Sequence, residues 1–95
     1  MTFLDPKVKA EILLAMDSVA QSKEKLAEVG IFDRLFKTDI YDGYKRILDV
    51  ALGLLERTVN KTPEHTEVAR EVLGNLPTSH VCYAELNGYL KATVQ

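Results

Sequence analysis

Apolar residues recur along this chain at spacings of three and four, the period of a helix that buries one side. Val8, Ile12, Ala15, Val19, Ser22, Leu26 and Val29 alternate the two spacings, which is a bundle-type seam. Met16 and Ala20 widen it, Leu13 sits on its margin and Leu14 points away. Asp5-Pro6 marks the start, because aspartate caps free N–H groups and proline has none to leave unpaired. The pattern predicts a first helix from Pro6 to about Val29, with Gly30 as a left-handed C-cap and Ile31 folding back toward Leu26. The following segment, 32–37, is too short for a full helix. One or two helical turns carrying Phe32, Leu35 and Phe36 into the core are expected there.

The stretch from Ile40 to Asn60 divides more broadly. Asp42, Lys45, Arg46, Asp49, Glu56 and Arg57 share one polar stripe. Ile40, Tyr41, Tyr44, Ile47, Leu48, Ala51, Leu52, Leu54, Leu55 and Val59 fill most of the rest of the wheel. An apolar arc this wide predicts a central helix covered on more than one side, capped by Thr38 or Asp39. Gly43 lies at the edge of that arc, where a neighbouring backbone could approach; Gly53 lies in the polar stripe.

Thr62-Pro63 repeats the cap-and-proline start and predicts a third helix to about Leu73, with Val68, Ala69, Val72 and Leu73 inward. Gly74-Asn75 and Pro77 end it. Thr78 or Ser79 is expected to cap a fourth helix running to about Thr93, with Cys82, Tyr83, Leu86, Tyr89, Leu90 and Thr93 inward. No period-two apolar run of strand length occurs. The expected fold is all-α: a small irregular four-helix bundle with an additional short helical turn, its central helix at about 40–60, forming a single helical domain over 1–95.

Composition agrees with one folded unit. The chain has 95 residues, 46% of them hydrophobic and 27% charged, enough apolar surface to offset chain entropy in one core. The net charge is −2, with twelve basic and fourteen acidic residues, so no strong field draws in a polyanion. Residues 1–61 carry ten of each sign, and residues 62–95 carry two basic and four acidic. One cysteine forms no internal disulfide, and the first residues lack a signal peptide's order. No stretch approaches the roughly 20 apolar residues of a membrane span. A cytoplasmic protein is expected, with no membrane partner.

Residues able to carry chemistry are few. Histidine and glutamate three apart on facing helices would suit a metal, but Glu64 and His65 are adjacent, and His80 and Cys82 diverge on a helix. His65 reads as a neutral, packed imidazole and Cys82 as a small core hydrophobe. No GxxxxGK[ST] loop is present. No catalytic residue, metal or cofactor is therefore expected.

Two surface patterns remain. Residues 66–90 have the layout of a helix-turn-helix, in which Thr78, Ser79, His80, Tyr83 and Asn87 would meet base edges. The net acidic charge of that half opposes binding to nucleic acid, since phosphate contacts supply much of DNA affinity. On the far side of the fourth helix, Ala84, Gly88 and Ala92 recur every four residues beside Val81, a small-residue ridge that permits close helix approach. With Leu13, Leu14 and Val50, that ridge makes up a surplus of apolar positions a small bundle need not cover. The reading that follows is a non-enzymatic, regulatory interaction domain, an adaptor, inhibitor or small subunit of a complex, whose partner is another protein or a second copy of itself. A helix-turn-helix DNA-binding regulator is the alternative. In length and position, Tyr41-Asp42-Gly43 resembles the small secreted helical-hairpin proteins that carry a Trp-x-Gly turn. The chain has no tryptophan, and Pro63 and Pro77 interrupt what would be the second long helix, so that family is rejected.

Overall fold

The computed structural model describes residues 5–36 and 40–93. Four helices follow one another: α1 (Pro6–Phe36), α2 (Ile40–Val59), α3 (Pro63–Gly74) and α4 (Tyr83–Thr93). Among the described residues there is no strand. The proposed caps at Thr38 or Asp39, and residues 1–4, lie outside the described residues.

The start of α1 is the one its sequence dictates. The Asp5 carboxylate accepts from the Lys7 N–H at 2.9 Å, and the Asp5 carbonyl accepts from the Lys9 N–H. The end is not. Helix α1 continues through Gly30 for 31 residues in all, so Gly30 is no C-cap and 31–36 is no separate turn. The reason lies on the neighbouring helix. The Tyr41 ring lies 3.4 Å from where a Gly30 Cβ would stand, so α2 holds against α1 here and the helix gains more by continuing than by turning away.

Antiparallel α1 and α2 form the main pairing, and α3 and α4 pack across part of it. The core draws Val8, Ile12, Ala15, Met16 and Val19 from α1, Ala51, Leu55 and Val59 from α2, Val68, Ala69 and Val72 from α3, and Cys82, Leu86 and Leu90 from the last segment. Leu48, Leu52, Leu73 and Tyr89 are partly buried against it. The corner between α2 and α3 is closed by polar bonds. The Thr62 hydroxyl accepts from the His65 N–H at 3.1 Å, and the Thr66 hydroxyl donates to the Val59 carbonyl at 2.8 Å. Helix α3 ends at Asn75, whose N–H donates to the Val72 carbonyl and whose side-chain amide donates to the Glu71 carbonyl.

The expected enclosure of α2 is only partial. Leu55 is fully buried, yet Ile40, Ile47 and Leu54 are exposed, beside Val50, which was expected on the surface. Element lengths explain this. At about 1.5 Å per residue, α3 and α4, with 12 and 11 residues, are each well under half as long as α1. They cover one end of the α1–α2 hairpin and leave the other projecting, which gives the molecule extents of 55 × 25 × 23 Å. Phe32, Leu35 and Phe36, expected in the core, stand exposed on that projection.

Helix α4 starts at Tyr83, three or four residues later than a cap at Ser79 or Thr78 would place it. Residues 77–82 form tight turns instead, with His80 N–H on the Pro77 carbonyl and Tyr83 N–H on the His80 carbonyl. Two long-range contacts fix them. The Cys82 thiol donates to the Met16 carbonyl at 3.2 Å, and the Lys23 ammonium donates to the Val81 carbonyl at 2.7 Å while pairing with Glu85.

Candidate interaction surface

One side of the hairpin, away from α3 and α4, carries a furrow between α1 and α2. Its α1 wall is built from Ser18, Gln21, Ser22 and Lys25, and its α2 wall from Tyr44, Ile47, Val50, Ala51 and Leu54. A second hollow adjoins it through Lys25 and Tyr44 and reaches Phe32 and Ile40. These positions share a side because they recur at helical spacing: 18, 21, 25, 28 and 32 on α1, and 40, 44, 47, 51 and 54 on α2. Leu14, four residues before Ser18, extends the α1 row and is 68% exposed.

The chemistry of the furrow suits coverage by an apolar partner. The Ser18 hydroxyl donates to the Leu14 carbonyl at 3.1 Å and the Ser22 hydroxyl to the Ser18 carbonyl at 2.7 Å. Serines that bond back to their own helix leave little unmet polarity to desolvate. The Lys25 ammonium lies 5.9 Å from the Tyr44 ring centroid and 3.9 Å from Glu28, so its charge is held at the rim. Opposite this wall stand Ile47, Val50 and Leu54, exposed by 54%, 68% and 44%. Beyond them, Phe32 and Phe36 stack with ring centroids 4.6 Å apart at the projecting end.

The candidate contact residues named from the pattern are all on the surface, but they do not form one face. Val50 lies in the furrow and Leu14 continues its row. Leu13, about 100° round the helix from Leu14, borders a small hollow with Met16, Asp17, Ala20, Leu76 and His80. Val81 sits in the turn before α4, and Ala84, Gly88 and Ala92 are exposed on α4; none of these four lines the furrow. The DNA-reading set is also divided. Thr78, Ser79 and His80 lie in the turn and not on a recognition helix, while Tyr83 and Asn87 are half-buried on α4. The His80 ring accepts from the Cys82 N–H at 3.1 Å, so it serves the turn.

Sequence reasoning missed Ile40, Ile47 and Leu54 as surface residues. Their signal was a repeat of seven, the spacing of a helix seam, which merges into the wide arc.

The ionisable groups elsewhere act on the structure. His65 is buried and joins two elements: its Nδ1 lies 2.6 Å from the Thr62 hydroxyl and its Nε2 lies 3.2 Å from a Glu11 carboxylate oxygen. With the Thr62 O–H donating to Nδ1, the Nε2–H donates to Glu11, so one tautomer meets both partners. The His65 bond, with Lys61 at 3.4 Å helping, holds the Glu11 carboxyl below its ordinary range against a smaller opposing effect of burial. Burial pushes the Cys82 thiol up, and burial likewise raises the Tyr89 phenol. Among the described residues, no group of three or more His, Cys, Asp and Glu side chains is placed to hold a metal ion, and no helix is long and apolar enough to cross a membrane. Comparison with family models, curated proteins and solved structures gives no match.

Proposed function

We propose that this chain is a non-enzymatic interaction domain, an adaptor, inhibitor or small subunit, that works by placing the open side of its α1–α2 hairpin against another protein surface. The observation that carries this reading is the row Ile40, Ile47, Val50 and Leu54, exposed on one helix and bordered by Phe32 and Leu14 on the next. Single exposed apolar residues are ordinary, whereas a contiguous set beside a furrow marks a contact site. The furrow wall of back-bonded serines lowers the desolvation cost of being covered.

The test is retention from native cell extract on immobilised wild-type protein and on an Ile47→Lys/Val50→Lys variant. Both positions are exposed, so the variant keeps its fold. The reading expects a protein, another chain or this one, that the wild type retains and the variant loses. Identical retention by both would contradict it.

A further inference from the structure

The contact reading leaves the occupant open, and α2 itself carries information about it. Ile40, Ile47 and Leu54 stand seven apart, and Gly43 and Val50 fall between them at the complementary spacing. These five positions make one exposed stripe. It lies about a quarter-turn from the α2 face that meets α1, which is the disposition of a helix at a corner of a square bundle.

We infer that the occupant is a second copy of this chain, paired through α2 in an antiparallel two-fold whose axis passes between Leu48 and Asp49. The inference rests on the contact reading above. A two-fold makes residue i meet j and j meet i. About this axis Ile47 meets the partner's Val50, and Gly43 meets the partner's Leu54. That second pair accounts for Gly43. Nothing lies within 4 Å of a Cβ added there, so within one chain the glycine relieves no crowding. Against a second α2, the missing side chain makes the space that Leu54 fills.

Charge selects the same arrangement. Arg57 is the next position of the stripe, three beyond Leu54. The antiparallel pairing sets it against the partner's Ile40, where its aliphatic stem packs and its charge reaches water. A parallel pairing in register sets Arg57 against its own copy, like against like. The antiparallel pairing also carries the two α3–α4 ends to opposite ends of the assembly, clear of each other. Leu14, Phe32, Ile40, Ile47, Val50 and Leu54 are 41–68% exposed, so the six together leave roughly 550 Å² open per copy and about 1,100 Å² over two, close to the lower end of a standard specific interface.

Sedimentation velocity of the full chain at two concentrations, about 5 and 200 μM, tests the inference, with Val50→Lys and Gly43→Leu run beside the wild type. Gly43→Leu is informative because it favours the single-chain helix and overfills the pair. The wild type is expected to sediment as a dimer at the higher concentration, and each variant to weaken dimerisation at least tenfold while keeping wild-type helicity by circular dichroism. A wild type that stays monomeric overturns the inference, as does a dimer that neither variant weakens. If the wild type is monomeric while extract retention still depends on Ile47 and Val50, the second copy is excluded and the contact reading stands. If retention fails as well, both fall.

Discussion

The ring of Tyr41 on α2 lies 3.4 Å from the place a Cβ would occupy on Gly30, inside the last two turns of α1. That separation is ordinary contact, and the Gly30 backbone is helical. Glycine in a helix interior costs about 1 kcal/mol against alanine. Gly30→Ala is therefore expected to stabilise the protein by about 0.5–1 kcal/mol, read as a rise in the midpoint of urea unfolding. A fall in the midpoint would mean that Gly30 terminates the helix after all, since alanine is strained in the left-handed region.

Lys23 ties α1 to the segment entering α4, through the Val81 carbonyl and Glu85. The other Glu85 oxygen is buried without a hydrogen bond, so this carboxylate relies on the lysine and on its place in the first turn of α4. Lys23→Met keeps the aliphatic stem and removes the charge. It is expected to cost about 1–3 kcal/mol and to raise amide exchange across α4 more than across α1. Uniform exchange changes along the chain would show that the contact holds no particular segment.

Glu11 should set part of the acid limit. Its folded pKa is depressed by His65 first and Lys61 next. The stabilisation is therefore present above the ordinary carboxylate range and is lost as pH falls through the lower folded value. Chemical denaturation of wild type and Glu11→Gln is expected to show a wild-type advantage at pH 6 that shrinks below about pH 4. A gap independent of pH across that range would remove the linkage.

Cys82 is expected to be inert while the protein is folded. Its thiol is fully buried, bonded to the Met16 carbonyl and raised in pKa by burial. A disulfide reagent should label it at least a hundredfold more slowly in buffer than in denaturant, because the reactive species is the exposed thiolate. Rapid labelling of the native state would place Cys82 at a surface.

Much of the fold was legible in the sequence, and the reasons differ by element. Asp5-Pro6, Thr62-Pro63 and Gly74-Asn75 act through their immediate neighbours, so the ends they mark could be read locally. The seam from Val8 to Val19 was legible because one helix face meets one core. Gly30 was not, because the same residue caps a helix or lies inside one, and Tyr41, which favours the second, belongs to another helix. The start of α4 was hidden for a similar reason. Thr78 and Ser79 both have capping chemistry, but the thiol bond to Met16 and the Lys23 contact hold 77–82 out of the helix. The surface was the least legible part. Counting apolar positions on α2 shows what that helix could bury, and only the short reach of α3 and α4 shows what stays open.

Val50 and Leu55 lie on opposite sides of α2, and substituting each reads directly which side is covered within one chain. Val50 is 68% exposed and Leu55 is fully buried. Urea unfolding at a protein concentration where the wild type is monomeric is expected to place Val50→Lys within about 0.5 kcal/mol of wild type and to show a loss of about 2–5 kcal/mol for Leu55→Ala. Comparable losses for the two variants would mean that the stripe is buried inside the single chain, and would contradict the open face on which the proposed function rests.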